Sequence, residues 1–186
     1  MTTKAPETPI PPGQWLGLLG GGQLGRMFCM AAQSLGYKVA VLDPGADSPA
    51  GNIADRHVHA DYLDAAGLAR LSSIARAATT EFENVPAAAL EFLARTARVS
   101  PAAATVAIAQ DRIREKGFLA DHGFAVAPYA VLATARDAAA ADASLVPGIV
   151  KSARFGYDGK GQTRVTSASA VATAFRAMGN VPCVLE

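Results

Sequence analysis

Short apolar runs alternate with alanine-rich stretches along most of the chain, which predicts strands interleaved with helices and a mostly parallel sheet covered by helices. Residues 15–19 read as a first strand. Gly20, Gly21 and Gly22 form a turn that opens a helix through residue 35, stopped by Gly36. A second strand over residues 38–42 ends at Asp43 and Pro44, completing a βαβ unit. Residues 57–60 read as a short third strand, 64–77 as a helix and 78–82 as a fourth strand. A helix over 86–95 has proline at its first position, and Val99 adds another strand. After Ser100 and Pro101 the texture changes, so a domain boundary is expected there. Two closely spaced helical segments, 102–110 and 111–122, precede an apolar run at 129–132. Residues 133–143 read as helix, 148–152 and 163–165 as extended, 169–178 as helix and 182–186 as extended.

Composition narrows the class. With 186 residues, 51% of them hydrophobic and 18% charged, the chain is long enough to bury a substantial core in one domain or two small ones. Seventeen basic against sixteen acidic residues leave a net charge of +1, which gives no electrostatic case for nucleic acid or an anionic membrane. Small molecules and other protein chains are the expected partners. Cys29 falls in an expected helix and Cys183 in an expected strand, without metal-ligand spacing or a disulfide framework, which suits a reducing cytoplasm. Residues 1–13, with prolines at 6, 9, 11 and 12, match neither a signal peptide nor a helix and read as a disordered tail. No apolar run reaches the roughly 18 residues of a membrane span.

The strongest chemical signal joins an apolar strand ending in Lys151 to a loop of Gly156, Tyr157, Asp158, Gly159, Lys160, Gly161 and Gln162. Glycines let backbone amides approach phosphate oxygens, and the two lysines neutralise phosphate charge, so this segment reads as a nucleotide phosphate loop. A β-hairpin with Asp158 and Gly159 as its turn is the plainer reading, and the two are compatible. Gly20-Gly21-Gly22-Gln23-Leu24-Gly25 matches G-x-G-x-x-G between a strand and a helix, and Asp43 closes the next strand. Alone, this reads as a dinucleotide site with an anion at the helix N-terminus, or as glycines that merely allow close packing. Glu81 and Glu83 lie at the end of the fourth strand, where open parallel sheets place their ligand crevice. Either could meet a ribose or an amine, or both could be solvated. His57 and His59 lack a third metal ligand and read as packing or surface residues, while His122 reads as a helix cap. The charged run from Asp111 to Lys116 reads as a solvated helix face, with one arginine turned to phosphate as its alternative.

Taken together and in order, these segments resemble the N5-carboxyaminoimidazole ribonucleotide synthetase family of the ATP-grasp superfamily. The resemblance rests on Gly20 to Met27, Thr80 to Pro86, Gln110-Asp111-Arg112 with Lys116, Val150-Lys151, and the loop from Gly156 to Gln162. It implies an α/β fold: a Rossmann-like pre-ATP-grasp domain over residues 14–100, then the first, α+β subdomain of an ATP-grasp fold over 101–186. It also implies that Arg112 and Lys151 contact ATP phosphates beneath a mobile loop, and that Glu186 begins a hinge near the adenine. Gly22, Gln23, Leu24, Glu81 or Glu83, Tyr157 and Lys160 are the implied contacts to 5-aminoimidazole ribonucleotide, with Lys151, Lys160 and Tyr157 catalytic. Lys160 stands where some relatives carry arginine, so two-pronged phosphate binding is not carried over to it.

The implied reaction is carboxylation of the ribonucleotide's 5-amino group by bicarbonate, driven by ATP through carboxyphosphate, in purine biosynthesis. A cytoplasmic homodimer is the implied assembly. Magnesium is the implied ion, with ligands expected beyond residue 186, and no metal site is assigned within the chain. Because residues 182–186 read as an interrupted strand, the sequence is expected to be part of a longer protein and to be inactive alone. Competing readings are another ATP-grasp ligase or formyl transferase of purine metabolism, a non-catalytic nucleotide-binding fragment, and a nicotinamide oxidoreductase.

Overall fold

The computed structural model describes residues 8–156 and 160–186. It divides into two compact units, with the division between Val106 and Ala107. The first carries a wholly parallel sheet of five strands: β1 (Trp15–Leu19), β2 (Lys38–Asp43), β3 (Arg56–His59), β4 (Ala77–Thr80) and β5 (Arg98–Val99). Their order is β3-β2-β1-β4-β5, so the chain reverses direction across the sheet between β1 and β4. Adjacent strand residues face opposite layers. Leu18, Val39 and Val41 pack with Cys29 and Ala32 of α1 (Gln23–Ser34). Leu19 and Leu42 turn the other way, onto Leu68 and Leu71 of α2 (Ala65–Ser72) and Leu90 and Leu93 of α3 (Ala87–Leu93). Helix α4 (Ala103–Ala109) spans the division.

The second unit holds α5 (Arg112–Asp121), β6 (Ala130–Leu132), α6 (Ala135–Ala139), β7 (Gly148–Ser152), β8 (Gln162–Val165), α7 (Ala168–Ala177) and β9 (Cys183–Leu185). Its sheet is antiparallel, in the order β6-β9-β7-β8. Leu132, Val150, Val165, Cys183 and Leu185 form its core with Ala138 of α6 and Val171 and Phe175 of α7. The α/β class, with a parallel-sheet unit followed by an α+β one, agrees with the expectation.

Several boundaries differ, each for a local reason. The helix expected over 64–77 stops at Ser72, where Ile74 and Ala75 both donate to the Leu71 carbonyl and Ala77 joins the sheet beside Leu16. Sheet pairing overrides alanine's helix preference there. The helix expected over 133–143 ends at Ala139. A capping box between Thr134 and Asp137 starts it, and Asp142 then accepts from the Ser144 amide to open a separate 3-10 turn, Ala143–Leu145. Within the segment expected as a tail, the Tyr37 hydroxyl donates to the Ile10 carbonyl (2.8 Å) and the Gly13 amide to the Gly36 carbonyl (2.7 Å). Among the described residues no helix is long and apolar enough to cross a membrane.

Candidate functional site

In the first unit, the glycine turn after β1 and the segment after β4 adjoin at the C-terminal edge of the sheet, where the strand order reverses and open α/β sheets bind ligands. The turn's amides are already engaged. Gly21 N–H donates to Asp43 Oδ2 and Gly22 N–H to Glu81 Oε1, each at 2.7 Å. The missing side chains make room for these acids: a Cβ on Gly20 or Gly22 would lie 2.9 Å from Glu81 Oε1, and one on Gly21 2.7 Å from Asp43 Cγ. Gly25 serves packing instead, since a Cβ there would meet the Gly20 carbonyl at 2.8 Å. The chain's own carboxylates thus take the two amides that precede α1, while α1 itself receives no side-chain cap.

Both oxygens of Asp43 accept hydrogen bonds. Oδ2 also accepts from the Tyr62 hydroxyl (2.8 Å) and Oδ1 from the Gly45 amide (2.8 Å). Burial, and then the Asp43 carboxylate, push the Tyr62 phenol well above its usual range, so it remains a donor. Three of the Asp43 acceptor sites are thus taken within the chain. Glu81, Asp43, Asp47, Tyr62 and Phe82 line a cavity of about 540 Å³. Glu83 does not line it; its Oε1 accepts from Asn84 Nδ2 at 3.2 Å. The strand ends at Thr80, so the alternation expected to point both acids to one face has ceased before them. Gln23 and Leu24 are exposed on the first turn of α1.

In the second unit, Lys151 on β7 reaches the Glu186 carboxylate just beyond β9. Ile149 and Glu186 exchange backbone hydrogen bonds, so Lys151, two residues on, shares the face of Glu186. Lys151 Nζ donates to Oε1, and Lys116 Nζ from α5 pairs with Oε2. Burial alone would raise the Glu186 pKa, but the two ammonium groups outweigh it and hold the carboxyl below its ordinary value.

Arg112 lies one turn before Lys116 on α5. Its Nη1 donates to the Ser152 carbonyl (2.7 Å) and its Nη2 to the Gly156 carbonyl (2.9 Å), while its backbone amide donates to Ala153 (2.9 Å). The guanidinium thus fastens the start of the loop that follows β7. Gly156 and Gly161 admit this arrangement: a Cβ on Gly156 would sit 2.9 Å from Arg112 Nη1, and one on Gly161 2.5 Å from Ser152 Oγ. Gly161 also adopts φ +67. The β7–β8 ladder runs to Lys151 opposite Gln162, and Ser152 N–H bonds the Gly161 carbonyl. The turn expected at Asp158 and Gly159 lies outside the described residues, as does Tyr157, whereas Lys160 and Gln162 are exposed.

The remaining candidates have local explanations. His59 Nε2 meets the Pro44 carbonyl at 3.0 Å, and His122 caps α5 through Nδ1 to the Phe118 carbonyl at 2.7 Å. His57 is half-buried beside Gly51. Among the described residues no group of three or more His, Cys, Asp or Glu side chains could hold a metal. Sequence reasoning missed the engagement of Asp43 with Tyr62 and the partnership of Lys116 with Glu186. The four-residue spacing of Arg112 and Lys116, which puts both on one helical stripe, was the available signal for the second.

Residues 14–110 match the ribonucleotide synthetase pre-ATP-grasp domain and residues 117–186 the ATP-grasp domain, a pairing that defines the class as ATP-grasp ribonucleotide synthetases. The N5-carboxyaminoimidazole ribonucleotide synthase of Brucella melitensis is 43% identical over 183 residues, covering 97% of this chain and 51% of that protein. N5-carboxyaminoimidazole synthetase from Staphylococcus aureus, solved with ADP, superposes with TM-score 0.89 at 35% identity, over 95% of this chain and 48% of that one. The Aspergillus clavatus enzyme in complex with ADP and 5-aminoimidazole ribonucleotide gives 0.81 at 30% identity, over 93% and 46%. The chain belongs to the N5-carboxyaminoimidazole ribonucleotide synthetase family. It spans about half the length of the relatives it matches.

Proposed function

We infer that the chain contributes to ATP-dependent carboxylation of 5-aminoimidazole ribonucleotide by bicarbonate, giving N5-carboxyaminoimidazole ribonucleotide, ADP and phosphate in purine biosynthesis. The observation carrying this reading is the array around β7 in a chain of this family: Lys151 held by Glu186, with Arg112 fastening a glycine-rich loop. Lys151 and Lys160 would neutralise the nucleotide phosphates, and the backbone of Gly156, Gly159 and Gly161 would approach them closely. Arg112 organises the loop through two donors and keeps others for phosphate. Glu186 would lie near the adenine, Tyr157 and Asp158 would belong to the same loop, and Gln162 opens β8 beside it.

Glu81, rather than Glu83, is the acid proposed to meet the ribonucleotide, because it lines the cavity beside Gly22 at the start of α1, where Gln23 and Leu24 are exposed. A bicarbonate oxygen bonds to the γ-phosphorus as the bridge to ADP breaks. The substrate amine then bonds to the carboxyl carbon as the carbon–oxygen bond to phosphate breaks, and the amine's proton passes to the departing phosphate. Positioning, cationic stabilisation and exclusion of water are the protein's tasks, with Lys151, Lys160 and Tyr157 as the proposed catalytic groups. Bound magnesium would neutralise phosphate charge, and no donor set for it is assigned among the described residues.

A cytoplasmic homodimer acting on small molecules, without nucleic acid or membrane partners, completes the reading, with residues 14–100 and 101–186 as its domain limits. The test is ADP release by the natural gene product containing this sequence, given ATP, magnesium and bicarbonate, with and without 5-aminoimidazole ribonucleotide. Dependence on the ribonucleotide is expected; its absence would move the assignment to another ATP-grasp ligase. The 186-residue chain alone is expected to form no ADP at a comparable rate in the same assay.

A further inference from the structure

Lys116 carries an observation that the proposed function does not use. It shares one stripe of α5 with Arg112, on a helix of which no residue is fully buried. The Lys116 ammonium pairs with Glu186 Oε2 while Lys151 takes Oε1, and the three side chains are only 15%, 25% and 17% exposed for Lys116, Lys151 and Glu186. Lys116 Nζ also stands 5.1 Å from the centroid of the Tyr129 ring, a cation–π contact that steadies it. The cluster holds two positive charges around one negative charge.

We propose that Lys116 is a positioning residue for nucleotide binding: by holding the second oxygen of Glu186, it lets Lys151 turn to a polyphosphate without leaving that carboxylate unpaired. The inference rests on the reading of Lys151 as a phosphate contact. Were Lys116 absent, Glu186 would have Lys151 as its ammonium partner in the cluster. Moving Lys151 to phosphate would then leave a largely buried carboxylate without a counter-charge, which is costly when desolvated. With Lys116 present, Glu186 keeps an ion pair throughout, and Lys151 exchanges one anion for another. Lys116 itself need not touch the nucleotide.

The test is ADP affinity, by calorimetry, of the natural full-length protein and its Lys116→Met, Lys116→Arg, Glu186→Gln and Lys116→Met/Glu186→Gln variants, with folding checked by circular dichroism. Lys116→Met is expected to weaken ADP binding by about tenfold or more, equivalent to about 1.4 kcal/mol. Lys116→Arg should keep most of the affinity. Adding Glu186→Gln to Lys116→Met should recover most of the loss relative to Glu186→Gln alone, because no charged carboxylate then competes for Lys151. If Lys116→Met fails to fold, Lys116→Gln takes its place in the same comparison. Unchanged ADP affinity in the folded uncharged variant would overturn the proposal, as would a loss that Glu186→Gln does not relieve, which marks a purely structural role. Failure of the unaltered protein to bind ADP would overturn the nucleotide reading itself, and this inference with it.

Discussion

Glu186 joins two lysines through one carboxylate, and its depressed pKa ties that cluster to acid stability. A carboxyl whose folded pKa lies below its unfolded value contributes stability above the ordinary glutamate pKa, and loses it as pH falls through the lower folded value. Urea midpoints of the unaltered chain should therefore drop between neutral pH and pH below 4.5, and the drop should be smaller in Glu186→Gln. Equal drops in both proteins would show that Glu186 carries none of this dependence. Gly21 offers a steric test. Its Cβ would fall 2.5 Å from Ser48 Oγ and 2.7 Å from Asp43 Cγ, so Gly21→Ala should destabilise the first unit by about 1–3 kcal/mol, read as a lowered urea midpoint. Cys29 is buried, and desolvation, followed by the Asp55 charge, pushes its thiol pKa up to about 11. Iodoacetamide at pH 8 should accordingly leave Cys29 unmodified in the native chain and alkylate it after unfolding, as mass spectrometry would report.

Among the elements, α5 shows what the sequence disclosed and what it withheld. Its charged run had two readings, a solvated face and an arginine aimed at phosphate. In the folded chain Arg114 and Glu115 are exposed, whereas Arg112 and Lys116 turn to the carbonyls after β7 and to Glu186. The four-residue spacing allowed such a stripe, but its partners lie about 40 and 70 residues along the chain and became visible only through the pairing of β7 and β9. Strands with strong apolar runs, such as β1 and β7, were legible because their pattern and their burial agree. The end of α2 was not, because alanine-rich sequence favours helix until sheet pairing decides otherwise. Arg112→Ala removes charge-assisted bonds to two carbonyls, worth about 1.5–3 kcal/mol each in general. It should raise amide exchange at residues 152–156 while leaving β1 and β2 protected; unchanged exchange there would refute the fastening role.

Across the whole molecule, the apolar clusters divide with the chain. Leu90 and Leu93 belong to the first unit, and Phe175, with Leu132 and Leu185, to the second. Phe175→Ala should cost about 3–5 kcal/mol and remove exchange protection from β6, β7 and β9 before β1, β2 and β4. Simultaneous loss in both sheets would mean that the two units unfold as one. The G-x-G-x-x-G turn has a consequence on the same scale. Glycine spacing measures how closely something can approach, and says nothing about the sign of its charge. Here two acids have moved into that space, so a dinucleotide arriving phosphate-first meets like charge at the place where its usual hosts offer bare amides. Two proteins can thus share a backbone signature letter for letter and offer an approaching anion opposite charge, the difference resting with one acid at the end of the second strand and one after the fourth.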